Sequence, residues 1–241
     1  MQGEQRVAAA EEEILVGGAD LATQQFAPQL RAAALVGIER AGAALQRFFQ
    51  AAQQGGAAGI RAQSKEDIQA IRETVDLPVI GIVKRNYDDS DIYITPTRKE
   101  VQELLECGCE IIALDATLRK RPNDEKLEDL VEMVHAGKSL AMADCSTFEE
   151  CRHAVEIGFD LVGTTLCGYT PYSEKLDGPN FDLLKKCVQE LDVPIIAEGK
   201  INTPEELKQV MEECGVYSAV VGGAITRPKQ ITERFVKAIN K

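Results

Sequence analysis

Pro78-Val79-Ile80-Gly81-Ile82-Val83-Lys84-Arg85 is a short apolar run, opened by proline and ended by two cations. An unbroken apolar run of this length, without polar alternation, describes a strand buried on both faces. Six more runs share its character: AAGIRA (57–62), EIIALDA (110–116), SLAMAD (139–144), DLVGTT (160–165), PIIAEG (194–199) and SAVVGG (218–223). Between and after them lie segments with apolar residues near i, i+3, i+4 and i+7, from KEDIQAIRETV (65–75) to ITERFVKAIN (231–240). Buried strands joined by helices are parallel strands with right-handed crossovers. Seven such units are countable, and an eighth placed first closes a (β/α)8 TIM barrel, a fold of about 250 residues. The 241 residues suit a single barrel domain over 1–241, with an open doubly wound sheet as the alternative. Two helix starts carry capping boxes: Thr147 with Glu150, and Thr203 with Glu206 and Pro204 between them.

Residues 1–50 depart from the pattern. They are rich in Ala, Gln and Arg and contain no lysine, the first being Lys65. EILVG (13–17) and ALVGI (34–38) are both candidates for the first strand, while 30–53 also fits one alanine-rich helix. The start of the chain is acidic and lacks the apolar core of a secretory signal. No apolar run approaches the ~20 residues of a membrane span. A net charge of −12 argues against sequence-independent nucleic-acid binding, which needs a basic face. Seven cysteines, none in a paired CxxC pattern, read as reduced thiols of a cytoplasmic protein.

Barrels of this kind place their chemistry where the strands end. Taken in order, those positions are Arg61; Lys84 and Arg85; Asp115, Thr117, Arg119 and Arg121; Asp144; Thr164, Thr165, Gly168 and Tyr169; Glu198, Gly199 and Lys200; then Gly222, Gly223, Thr226 and Arg227. A lone strand-end charge is more often a solvated tip than a catalyst. Charges of both signs at six of these seven strand ends instead describe a polar mouth above an apolar barrel. Gly222-Gly223 lets the backbone approach a ligand, and amides of an adjoining helix start suit a phosphate. Gly199 and Lys200, from the preceding strand, are placed to share it. A plain tight turn is the simpler reading of the glycines alone. No G-x-G-x-x-G follows a strand, which argues against a dinucleotide. His135 and His153 lie in helical segments away from the mouth. Asp115, Asp144 and Glu198 share it with cations, so ion pairing explains them without a metal.

The motifs GGAAGIRA, PVIGIVKRNYDDSDIYITPT, IIALDAT-x-RKRP, LAMADCST, GFDLVGTTLCGYTPY, IIAEGKINTPEEL and AVVGGAITRP together cover about four fifths of the chain. From about residue 51 onward, the chain resembles the N-acetylmannosamine-6-phosphate 2-epimerases of bacterial sialic-acid catabolism. The resemblance implies a (β/α)8 barrel, commonly a homodimer, with no metal or organic cofactor and an amino-sugar phosphate as substrate. It implies Lys84 as the catalytic lysine and Glu198 as the carboxylate beside it. Arg61, Asp144 and Arg227 match substrate-contacting residues, and Gly199, Lys200, Gly222 and Gly223 fall in the phosphate-binding loops. Two departures stand out. Lys200 replaces the family's usual arginine, losing its bidentate geometry. The family's first strand, close to Leu-Ile-Val-Ser-Cys-Gln, has no counterpart in 1–50, which reads as a divergent strand or, preferentially, a non-native start.

Epimerisation at C2 needs a base for the proton beside the C1 aldehyde of the open sugar, and donors for the enolate oxygen. A lysine does this only when neutral, a state that burial and neighbouring cations favour. The apolar strand behind Lys84, with Arg85, Arg61 and Arg227 as candidate neighbours, offers both. Two other readings use the same residues: a Schiff-base lysine as in class I aldolases, and a phosphosugar-binding protein without catalysis.

Overall fold

The computed structural model describes residues 13–17 and 42–239. Its eight strands follow one another around a closed barrel: β1 (Glu13–Gly17), β2 (Ile60–Gln63), β3 (Val79–Ile82), β4 (Ile111–Asp115), β5 (Leu140–Asp144), β6 (Leu161–Gly163), β7 (Ile195–Glu198) and β8 (Ser218–Val221). Strands β2 to β8 pair in parallel. They are the seven runs legible as doubly buried, and β3, β4, β7 and β8 are buried at every residue. One face of each fills the barrel and the other meets the helices, so neither tolerates polar alternation.

Eight helices surround the parallel strands: α2 (Lys65–Arg72), α3 (Arg98–Glu106), α4 (Leu127–Ala136), α5 (Phe148–Glu156), α6 (Phe181–Glu190), α7 (Pro204–Glu212), the short α8 (Gly223–Thr226) and α9 (Pro228–Ile239). Both expected capping boxes form, at Thr147–Glu150 and Thr203–Glu206. A third, Thr97–Glu100, starts α3 with the same Thr-x-x-Glu spacing. Helix α9 begins three residues before the expected 231, at Pro228, whose fixed φ suits a first turn.

Strand one is where sequence and structure part. Of its two candidates, 13–17 takes the position and 34–38 lies outside the described residues. The strand runs antiparallel to both neighbours, pairing Glu13 with Arg61 and Ile14 with Ile60 on one side, and Ile14 to Gly17 with Val221 to Ser218 on the other. Gly17 therefore sits level with the start of β8, and Glu13 lies at the level of Arg61. A parallel first strand would have carried its last residue to the mouth; this one delivers its first. The direction is not written in the run, because a short strand satisfies its ladder in either sense. Of the expected 30–53 helix, α1 (Gly42–Gln54) is described, and it docks through the fully buried Phe49.

Close helix–strand packing is visible at Gly81 in β3. A Cβ there would stand 2.5 Å from Cys109 Sγ and 2.9 Å from Leu104 Cδ2. Gly81→Ala is expected to overpack this contact and cost about 1–3 kcal/mol, read from urea unfolding; an unchanged midpoint would show that the layers have room to give.

Candidate active site

The mouth of the barrel holds a cavity of about 210 Å3. Lys84 from the end of β3, Arg61 from β2, Glu198 from β7 and Arg227 after α8 all line it, as do Gly199, Lys200, Gly222 and Gly223. Eight of the nine expected site residues thus converge on one space. The ninth, Asp144, is not among the lining residues and is fully buried beneath them.

Arg61 explains that placement. Its guanidinium, itself 1% exposed, grips Asp144 in a bidentate pair, Nη1–Oδ1 3.0 Å and Nη2–Oδ2 2.6 Å. The same Nη1 lies 3.2 Å from Glu198 Oε2. Thr165 Oγ1 donates to Asp144 Oδ1 at 2.6 Å. Both Asp144 oxygens are thereby engaged, and the carboxylate is turned to Arg61. Backbone bonds fix Glu198: Thr164 Oγ1 donates to its carbonyl at 2.9 Å, and its amide donates back at 3.1 Å. A hydroxyl thus rivets β6 to β7 directly behind the carboxylate.

Lys84 follows β3 and is half-buried. The β3–α3 loop doubles back over it, forming an antiparallel bridge between Lys84 and Ile94, with the Arg85 amide donating to the Tyr93 carbonyl at 2.9 Å. Tyr93 and Ile94 consequently enter the cavity wall. Periodicity gave no sign of either, because a loop that returns along its own strand has no repeat to read.

Three expected neighbours turn elsewhere. Arg85 faces α3, where it pairs with Glu100 and, at 3.1 Å, with Glu103, so it is not a cation of the mouth. The end of β4 is a closed knot. Thr117 Oγ1 and Arg119 Nη2 donate to the two Asp115 oxygens at 2.6 and 2.7 Å, and Arg121 is buried against the Pro96 and Asp115 carbonyls. Burial pushes the Asp115 carboxyl above the usual range, against the pull of Arg119 and Thr117. Lys200 lines the cavity, but its ammonium turns to the β6–α6 loop. It donates to the Leu176 carbonyl and stands 5.6 Å from the Tyr169 ring centroid.

Gly199 (φ 101°) and Lys200 (φ 60°) are successive left-handed residues, which swing the chain sharply as β7 ends. At Gly223 a Cβ would meet Gln230 Oε1, the free end of an α9 side chain, at 2.6 Å. The first amides of α8 have no acceptor within their own helix and border the cavity. Nucleophilic thiols are not on offer: burial pushes Cys109 up to about 12, and Cys167, the least buried, is also raised by burial. His135 is held by Asp160 at 2.8 Å on the exposed side of α4, and His153 lies on α5. No group of three or more His, Cys, Asp or Glu side chains suited to a metal occurs among the described residues.

Residues 45–241 match the family model described as "Putative N-acetylmannosamine-6-phosphate epimerase". The match starts inside α1, earlier than the resemblance legible in the motifs. A curated relative from Clostridium perfringens (strain SM101 / Type A), described as "Putative N-acetylmannosamine-6-phosphate 2-epimerase", is 62% identical over 189 residues, 78% of this chain and 85% of its own. One from Clostridioides difficile (strain 630), with the same description, is 59% identical over 193 residues, 80% and 86% of the two chains. The solved structure of the N-acetylmannosamine-6-phosphate 2-epimerase from Clostridium perfringens superposes with a TM-score of 0.80 at 55% identity, covering 85% of this chain and 90% of that one. The thiamine phosphate pyrophosphorylase of Pyrococcus furiosus, at TM-score 0.51 and 18% identity over 76% of this chain and 80% of its own, shares the fold alone. The chain belongs to the N-acetylmannosamine-6-phosphate epimerase family.

Proposed function

We propose that this chain interconverts N-acetylmannosamine 6-phosphate and N-acetylglucosamine 6-phosphate by moving the C2 proton of the open-chain sugar. The observation that carries the reading is convergence: a lysine, a buried carboxylate–arginine pair and the glycine loops of β7 and β8 border one small cavity. Lys84 takes the C2 proton from one face of the open-chain sugar, and delivery of a proton to the opposite face of the enolate inverts the carbon. Glu198, held by Arg61 and riveted through Thr164, assists ring opening and proton exchange. Arg61 and Arg227 face the enolate, hydroxyl and phosphate oxygens. Amides of Gly199, Gly222 and Gly223 cradle the phosphate. Lys200 contributes backbone to that cradle while its side chain fixes the neighbouring loop.

The same proposal takes 1–241 as a single barrel domain. The seven free thiols favour a reducing compartment, and we place the chain in the cytoplasm. No helix among the described residues is long and apolar enough to cross a membrane. We further propose a homodimer. No residue of α9 is buried, and Phe235, Val236 and Ile239 are 74, 45 and 82% exposed along one face with the half-buried Ile231. Such an apolar stripe is costly in water and suits a second copy.

Proton NMR in heavy water tests the reaction directly. The unmodified chain is expected to wash out the C2 proton of either sugar phosphate, and Lys84→Ala to slow exchange by about 10²–10⁴-fold while still binding the product. Normal exchange in that variant would sink the assignment. Trapping of substrate on Lys84 by borohydride would point to a Schiff base, and tight binding without exchange to a non-catalytic protein.

Asp144→Ala leaves Arg61 buried with one carboxylate fewer. It is expected to lose about 3 kcal/mol of stability in urea unfolding together with most activity; a loss below about 1 kcal/mol would mean the pair is dispensable. Phe235→Glu is expected to convert the dimer to monomer in sedimentation equilibrium, and a monomeric unmodified chain would refute the dimer.

A further inference from the structure

Two helix-capping glutamates have an unusual second attachment. Glu150, 1% exposed, caps α5 by accepting from the Thr147 amide at 3.1 Å and from the Ser146 amide and hydroxyl at 2.7 Å each. All three bonds fall on Oε2. Its other oxygen accepts the Tyr172 hydroxyl at 2.6 Å. Tyr172 belongs to the 17-residue β6–α6 loop (164–180), not to α5. A second line runs from the same cap into the same loop. Ser146 Oγ lies 3.1 Å from Thr170 Oγ1, which lies 2.7 Å from Ser173 Oγ. Ser173 Oγ then accepts the Gly168 amide at 2.9 Å. Ser146, Thr170 and Ser173 are all buried. Tyr169, directly after Gly168, is 60% exposed and forms part of the cavity wall.

Glu100 repeats the arrangement at α3. Its Oε2 accepts the Thr97 amide at 2.9 Å, and its Oε1 accepts the Tyr87 hydroxyl at 3.0 Å from the β3–α3 loop that covers Lys84. Glu206, which caps α7, is half-buried and caps only its own helix start through the Asn202 and Thr203 amides. A cap needs no more than Glu206 provides. The burial and the tyrosine of the other two therefore answer a different demand.

We propose that Glu150 is a positioning residue of the mouth: besides capping α5, it suspends the β6–α6 loop and so sets Tyr169 at the cavity rim. The carboxylate is suited to both tasks because its two oxygens face different partners, one the helix and one the loop. Four donors meet on the two oxygens of this buried side chain, so the loop is held assembled before ligand arrives. Its effect on ligand affinity rests on the phosphosugar reading; the placement of the loop does not.

Variants that separate the two oxygens test the proposal, using hydrogen exchange, thermal unfolding and calorimetric binding of N-acetylglucosamine 6-phosphate on the full chain. Tyr172→Phe removes the loop bond and leaves the cap. It is expected to speed exchange at the Gly168 and Thr170 amides about tenfold and to weaken binding about three- to tenfold, with α5 protection unchanged. Thr147→Ala removes the capping hydroxyl and leaves the loop bond. It is expected to lower the thermal midpoint by about 2–4 °C without altering binding or loop exchange. Glu150→Ala should show both losses, and Glu150→Gln, which keeps an acceptor and can donate to the Tyr172 oxygen, should recover most of the affinity. Unaltered loop exchange in Tyr172→Phe, or equal loss of affinity in Thr147→Ala, overturns the proposal. If the unmodified chain binds no phosphosugar, the epimerase reading fails and the exchange results alone decide the placement of the loop.

Discussion

A guanidinium with 1% exposure lies at the top of an apolar barrel, and the mouth is built around it. Removing such a charge from water costs several kcal/mol unless its partners are well placed. Asp144 from β5 and Glu198 from β7 supply them, so three strands must reach the same height for Arg61 to be tolerated. That requirement fixes Glu198 in depth and direction. It also explains why Thr165 and Thr164, at the end of β6, bond to Asp144 and to the Glu198 backbone. The arrangement is preorganised: its hydrogen bonds exist before a substrate arrives, and little reorganisation is left for the reacting complex.

Much of this could be read from the residues. Doubly buried strands announce themselves by runs such as IIALD and SAVV, since any polar residue in them would be stranded. Caps announce themselves by Thr-x-x-Glu. What a side chain does after its strand ends is less legible. Lys84 and Arg85 are adjacent, yet one borders the cavity and the other turns to Glu100 and Glu103, because successive residues leave opposite sides of a strand. Asp144 and Glu198 look alike in sequence, yet only Glu198 lines the cavity; the difference is which one Arg61 grips with both nitrogens. The positive charge of Lys200 suggested a phosphate partner, but the left-handed turn at Gly199–Lys200 aims it at Leu176. Such outcomes depend on contacts between units far apart in sequence, which no local pattern records.

Loops around the mouth are held with the same economy as its charges. The long loops are tied down beside the mouth: β3–α3 to helix α3 through Tyr87 and Arg85 on Glu100, β4–α4 to the end of its own strand through Arg119 on the Asp115 carboxylate and Arg121 on the Asp115 carbonyl, and β6–α6 to helix α5 through Tyr172 on Glu150. Carboxylates with several donors serve as the tethers. Glu100 shows how firmly: burial alone would raise its pKa, yet bonds from Thr97, Arg85 and Tyr87 hold it below the ordinary value. It is charged at neutral pH, and its contribution to stability is present above the unfolded pKa and fades as pH falls through the folded one.

The reversed strand β1 has a consequence for the molecule in solution. Without a strand between β8 and β2, the barrel would be an open sheet with two unprotected edges, each a template for pairing with another chain. Residues 14–17 pair along β8 and residues 13 and 14 along β2, both in the sense opposite to the other seven strands. At this stave, closure asks for hydrogen-bonding partners and an apolar face, not for a direction. The wall of the barrel is thereby kept from aggregation by a segment that need not match the architecture it completes.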